Sequence, residues 1–67
     1  MTLHVNGEMS AYPEEVATIS DLLQYHELNG QMVIVEYNQT IVDRTAYATT
    51  RLCSGDQLEL VHFVGGG

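Results

Sequence analysis

A chain of 67 residues makes one small domain, and at this size only about 60% of the unfolded surface is buried. Hollowing such a core for a substrate pocket of roughly 300 Å³ is costly, so function is expected at the surface or at the chain ends. Nine acidic residues against two basic ones, Arg44 and Arg51, give a net charge of −7, which excludes the clustered Lys and Arg that nucleic acid or an anionic membrane would need.

Residues 2–5 alternate Thr2 and His4 with Leu3 and Val5, the period of a half-buried strand. Asn6-Gly7 tolerate the positive φ of a type I′ hairpin turn. A second strand over residues 8–12 should therefore return antiparallel. Pro13 ends it, having no N–H for the ladder. Residues 18–27 read as a helix. Thr18 caps it, and Asp21 stands three residues on, as in a capping box with Asp in place of Glu. Ile19, Leu22, Leu23 and His26 fall on one face. Asn29-Gly30 offer a C-cap, and Glu14-Glu15 suit the positive end of the helix dipole.

Residues 32–36, Met-Val-Ile-Val-Glu, predict a strand buried over most of its length. Tyr37-Asn38-Gln39 turn the chain, and residues 40–42 form a short strand. Residues 44–52 show no pattern beyond a turn or an edge segment. Gly55-Asp56 mark another turn, and residues 57–64 form the last strand. Within it Leu58, Leu60, His62 and Val64 share one face, with Glu59, Val61 and Phe63 on the other.

A hairpin, one helix and further strands define an α+β pattern, with the helix on one sheet face. The first and last strands are both apolar, and a closed core needs them central. That gives a β-grasp arrangement: a mixed sheet of four to five strands on one main helix, its terminal strands parallel at the middle. The helix region supplies the crossover that parallel neighbours require. Element order alone leaves rival topologies open. Residues 1–64 form this domain, and residues 65–67 a flexible Gly-Gly-Gly tail.

Three glycines at the end of a chain add nothing to a core and lose much entropy when ordered. Extended, they span roughly 10 Å with no side chain to clash. Such a tail can thread a narrow channel in a partner and present its carboxylate there. ATP can activate that carboxylate as an acyl-adenylate, and a sulfur nucleophile can displace AMP to leave a thiocarboxylate. The alternative for these glycines is a frayed end without function.

The string Val61-His62-Phe63-Val64-Gly65-Gly66-Gly67 resembles the C-terminus of the ThiS family, the sulfur carriers of thiamine (thiazole) biosynthesis. Thr18-Ile19-Ser20-Asp21-Leu22-Leu23 resembles that family's helix start, and Val33-Ile34-Val35-Glu36 with Asn38 its third strand and turn. Asn6-Gly7, the Gly55-Asp56 turn and the total length also fit. The resemblance covers most of the chain, and residues 44–51 carry none of it.

The resemblance implies a ubiquitin-like β-grasp fold. It implies a protein co-substrate and not an enzyme, with no catalytic residue, metal or bound cofactor of its own. An E1-like adenylyltransferase would use ATP and magnesium to adenylate Gly67. Sulfur would come through a persulfide relay fed by a cysteine desulfurase, and the thiocarboxylate would be delivered to thiazole synthase. Gly65, Gly66 and Gly67 would enter the partner's active site. Strand alternation itself leaves Val61 and Phe63 on the open sheet face close to the tail, and with Val64 they are expected to dock a partner, the alternative being that a bulge or loop covers them. The small sulfur-carrying subunit of molybdopterin synthase is a rival within the same fold. That family is usually longer and ends in Gly-Gly, so the third glycine and the preceding His-Phe-Val favour the thiamine branch. A ubiquitin-like modifier joined to target lysines would use the same tail.

Other residues read as structural. His62 is a strand-end histidine, and His4 and His26 complete no ligand set. Cys53, the one cysteine, is expected to pack as a small apolar residue beside Leu52. Tyr12, Tyr25, Tyr37 and Tyr47 are expected to cover the edges of the core. The acidic surface serves solubility or steers the domain toward a basic partner. No lysine is present, so chains could not grow on this domain's own side chains. With no signal peptide or membrane-spanning run, the cytoplasm is the expected compartment.

Overall fold

The structure, a computed structural model, describes residues 1–63. Val64, Gly65, Gly66 and Gly67, on which the tail-threading reading and part of the docking reading fall, lie outside the described residues.

The described strands are β1 (Thr2–Val5), β2 (Glu8–Ala11), β3 (Val33–Tyr37), β4 (Thr40–Ile41) and β5 (Gln57–His62), with helix α1 (Ile19–Tyr25) between β2 and β3. They form one sheet in the order β2-β1-β5-β3-β4. β1 and β5 run parallel at its middle, and every other pairing is antiparallel. This is the β-grasp arrangement expected from the apolar first and last strands. Two turns with positive φ at consecutive residues close the hairpins, Asn6 (51°) with Gly7 (82°) and Asn38 (47°) with Gln39 (72°).

Helix α1 starts as the sequence dictates. Thr18 Oγ1 accepts from Asp21 N at 3.1 Å, and Asp21 Oδ2 accepts from Thr18 N and Ala17 N, each at 3.1 Å. These bonds satisfy amide donors that a helix start otherwise leaves open. Those donors, Ala17 N first, hold the Asp21 carboxyl below the usual carboxylate range, although desolvation works against them.

The helix ends earlier than expected. Its C-cap is His26, and Glu27, not Gly30, takes the left-handed conformation at φ 57°. Leu28 N then donates to Leu23 O at 2.8 Å. Asn29 caps a 3₁₀ turn instead (Gly30–Met32), its side chain accepting from Gln31 N. His26 is consequently exposed at the cap rather than on the packed face, with Nε2 2.7 Å from the Tyr12 hydroxyl.

One face of the sheet packs on α1. Leu3, Ile19, Leu22, Val33, Val35 and Leu58 are its largest fully buried side chains. β3 is therefore not buried along its length: Val33 and Val35 are inaccessible, while Ile34 between them is 43% exposed. With helix on one side only, a strand must alternate, whatever its composition.

The stretch after β4 closes the core. Asp43 caps a 3₁₀ turn (Arg44–Ala46), and Tyr47 enters the interior, its hydroxyl donating to Val33 O at 2.9 Å. Arg51 bridges to Thr18, and Leu52 is buried. Tyr12 and Tyr47 are buried core members rather than edge covers, while Tyr25 is exposed. Cys53 is exposed, not packed beside Leu52, because its amide is drawn outward to Asp56.

Asp56 pins the turn into β5. Its carboxylate accepts from Cys53 N at 2.7 Å, from the Tyr37 hydroxyl at 2.7 Å and from Asn38 Nδ2 at 3.2 Å. Burial pushes this carboxyl up, but the three donors outweigh it and hold it below the usual range. The same hydrogen bond, with burial and the negative charge, pushes the Tyr37 phenol up to about 12. Asp56→Asn is expected to bring Tyr37 back toward the ordinary tyrosine value of about 10, read by ultraviolet titration. A Tyr37 midpoint unmoved by Asp56→Asn would refute the assignment. Asp21, Asp43 and Asp56 all have carboxyls held below their ordinary value in the folded chain. Their stabilisation is complete above the unfolded Asp pKa of about 3.9 and is lost as pH falls through their lower folded values.

Candidate functional site

β5 carries the chain through the centre of the sheet to its last described residues. It pairs parallel with β1 (His4↔Gln57, Val5↔Leu58) and antiparallel with β3 from Tyr37↔Leu58 to Val33↔His62. Phe63 N donates to Met32 O at 3.0 Å, so pairing with the neighbouring segment continues one residue past the strand. The chain is thereby held in register up to Phe63, four residues before Gly67.

The alternation along β5 stands as predicted. Leu58 is buried and Leu60 half-buried toward the helix, while Val61 is 56% and Phe63 40% exposed. These two expected docking residues do lie on the open side of the sheet. Sequence reasoning missed Ile34. It stands directly opposite Val61 on β3 and extends the exposed apolar strip across two strands. The alternation Val33-Ile34-Val35 held the signal, once the strand is known to be covered on one face only.

His62 is exposed. With Val5, Asn6, His26, Leu28 and Leu60 it lines a shallow groove between the helix end and the sheet. Asn6 Oδ1 accepts from Leu60 N at 2.7 Å, tying the first hairpin to β5. Among the described residues no three His, Cys, Asp or Glu side chains are grouped to hold a metal, and no helix is long and apolar enough to cross a membrane. What the arrangement offers is a central strand paired on both sides and an exposed apolar strip beside its end, with Gly65-Gly66-Gly67 following a few residues further on in the sequence.

This is the architecture of a small β-grasp domain with an exposed apolar strip on the open face of its sheet. The sequence pattern of the ThiS family matches residues 3–67, and the chain belongs to that family. It is 42% identical over 65 residues to the sulfur carrier protein ThiS of Bacillus subtilis, covering 97% of this chain and 98% of that protein. The crystal structure of the thiamine biosynthesis protein (ThiS) from Geobacter metallireducens superposes with a TM-score of 0.81 at 33% identity, over the full length of both chains. A thiazole synthase from Magnetococcus marinus is 39% identical over 67 residues, all of this chain but only 20% of that protein.

Proposed function

We propose that this chain is the sulfur carrier of thiamine biosynthesis, working in the cytoplasm as a co-substrate of partner enzymes. The observation that carries the reading is that the family match runs through the fold to residue 67, the last glycine. A carboxylate oxygen of Gly67 attacks the α-phosphorus of ATP on an E1-like adenylyltransferase that uses magnesium, and pyrophosphate leaves. A sulfur nucleophile supplied through a cysteine desulfurase then attacks the acyl carbon. AMP departs with the electrons of its C–O bond, leaving an acyl disulfide when that nucleophile is the outer sulfur of a persulfide. A thiol then attacks the donor-side sulfur and the S–S bond breaks. The thiocarboxylate is released on Gly67 as the donor and the thiol become a disulfide. Thiazole synthase is the acceptor of that sulfur. The carrier holds no catalytic group for these steps. It supplies a reactive end, and the partners supply the chemistry.

The reading is tested by ATP–pyrophosphate exchange on the purified adenylating partner. Exchange should depend on this chain and saturate with it. Exchange at the same rate without the chain would contradict the reading.

Val61 and Phe63 offer a second check. The strip they form is the contact surface nearest the chain end, so Val61→Asp should raise the KM for the carrier in the exchange assay by about tenfold or more, with kcat little changed. Its side chain is exposed, so the thermal midpoint should stay within a few degrees. An unchanged KM would remove the strip from the docking surface.

A further inference from the structure

On the open face of the sheet Glu36 stands directly opposite Glu59. Like charges in opposed cross-strand positions repel. His4 and Gln57 line the same hollow as the two glutamates, but no arginine reaches it. The chain's two basic side chains are placed elsewhere: Arg44 Nε donates to Gly30 O at 3.1 Å, and Arg51 lies beside Asp21 next to the helix start. The acidic pair is also not a solvated patch of its own. Ile41 is the register partner of Glu36 on β4, and Ile34 with Val61 forms the next pair toward the chain end. These three aliphatic side chains are 69%, 43% and 56% exposed. Two facing carboxylates bordered by exposed aliphatic groups combine a repulsive pair with apolar area left in water. Both costs disappear when a basic, partly apolar surface covers the face.

We infer that thiazole synthase docks on this face, presenting an Arg or Lys that seats between Glu36 and Glu59 while its own apolar groups cover Ile34, Ile41 and Val61. The inference rests on the sulfur-carrier reading and adds the surface and its chemistry. Charge complementarity selects a basic partner from a chain of net charge −7. A guanidinium suits the site best, since its fork can donate to both carboxylates at once. Continuity places the contact, because Val61 and Phe63 lie on this face and the chain runs from them to Gly67. The Magnetococcus marinus thiazole synthase contains a segment similar to this whole chain, and a tether of that kind keeps the two units at high effective concentration. For a carrier that must find its acceptor by diffusion, a focused negative site beside the apolar strip supplies the encounter rate instead.

The test is the affinity of the full chain for its own organism's thiazole synthase, by calorimetry at about 50 mM and about 300 mM salt, ionic strengths that differ well in screening length. The parent should bind and weaken with salt. The double variant E36Q/E59Q should bind about tenfold more weakly at low salt and lose most of the salt dependence. A control of equal charge change, E14Q/E15Q in the exposed turn before the helix, should stay within about twofold. Folding of E36Q/E59Q is checked by its thermal midpoint, expected to be equal to the parent's or higher by about 2–4 °C as the repulsion is removed. The proposal is overturned if E36Q/E59Q binds within twofold of the parent, if E14Q/E15Q loses as much, or if the parent itself does not bind. Sulfur loading of Gly67 by the adenylating enzyme, followed separately, tells whether the carrier reading survives any of those results.

Discussion

Deleting Gly66 and Gly67 should abolish sulfur loading and leave the fold intact. Among the described residues the buried core runs from Leu3 to Leu58, and the deletion removes none of these side chains. Thermal and denaturant midpoints should match the parent's. The new terminal carboxylate, on Gly65, falls about 7 Å short of where the full chain places it. Misplacement by even about 1 Å can cost on the order of 100-fold in an active site, so exchange of pyrophosphate should fall below detection. A strain that depends on this carrier should then require thiamine. Growth of the truncated strain without thiamine would exclude the carrier role. Gly66→Val separates reach from width. It keeps the length but adds a branched side chain, and it should also fail if the partner's channel admits only a bare backbone.

Leu22→Ala should unfold much of the population. Leu22 lies on the packed face of α1 and is fully buried. Truncating a buried leucine costs about 3–5 kcal/mol, transfer and cavity together. A 67-residue domain is stable by about 3–10 kcal/mol in all. One substitution therefore removes a large part of the margin. Urea denaturation should show the midpoint falling steeply at an unchanged slope. Glu14→Ala, in an exposed turn, should stay within about 0.5 kcal/mol. A Leu22→Ala midpoint equal to the parent's would mean that α1 does not pack as described.

What was legible in the sequence was local. Asn6-Gly7 and the Thr18/Asp21 box specify their own geometry through a few neighbouring amides, and both formed as read. The parallel pairing of β1 with β5 was legible too, because two apolar strands in so small a domain have only the centre of the sheet to occupy. The misreadings share one cause: they depended on what lies across the core. Ile34 is exposed because α1 covers one face alone. Tyr47 is buried because the segment after β4 folds under the helix, which nothing within residues 44–52 announces. Glu27 rather than Gly30 takes the left-handed turn because the chain must leave the helix at Tyr25 for Leu28 to bond back to Leu23 O.

The site was legible in a different way. Val61 and Phe63 follow from strand alternation, and Gly67 from the resemblance of the chain end to the ThiS family. The extension of the exposed strip to Ile34, Glu36 and Ile41 needed the register between β3, β4 and β5. Sequence spacing cannot supply that, since these residues meet across three strands.

The central claim is chemical, and intact mass spectrometry reads it directly. The full chain is incubated with its adenylating partner, ATP, magnesium and a sulfur source, then weighed and fragmented. The account predicts a mass gain of one oxygen-to-sulfur exchange, found only in fragments that contain Gly67. An unchanged mass under conditions that load another carrier, or a sulfur found on Cys53 instead, would contradict it.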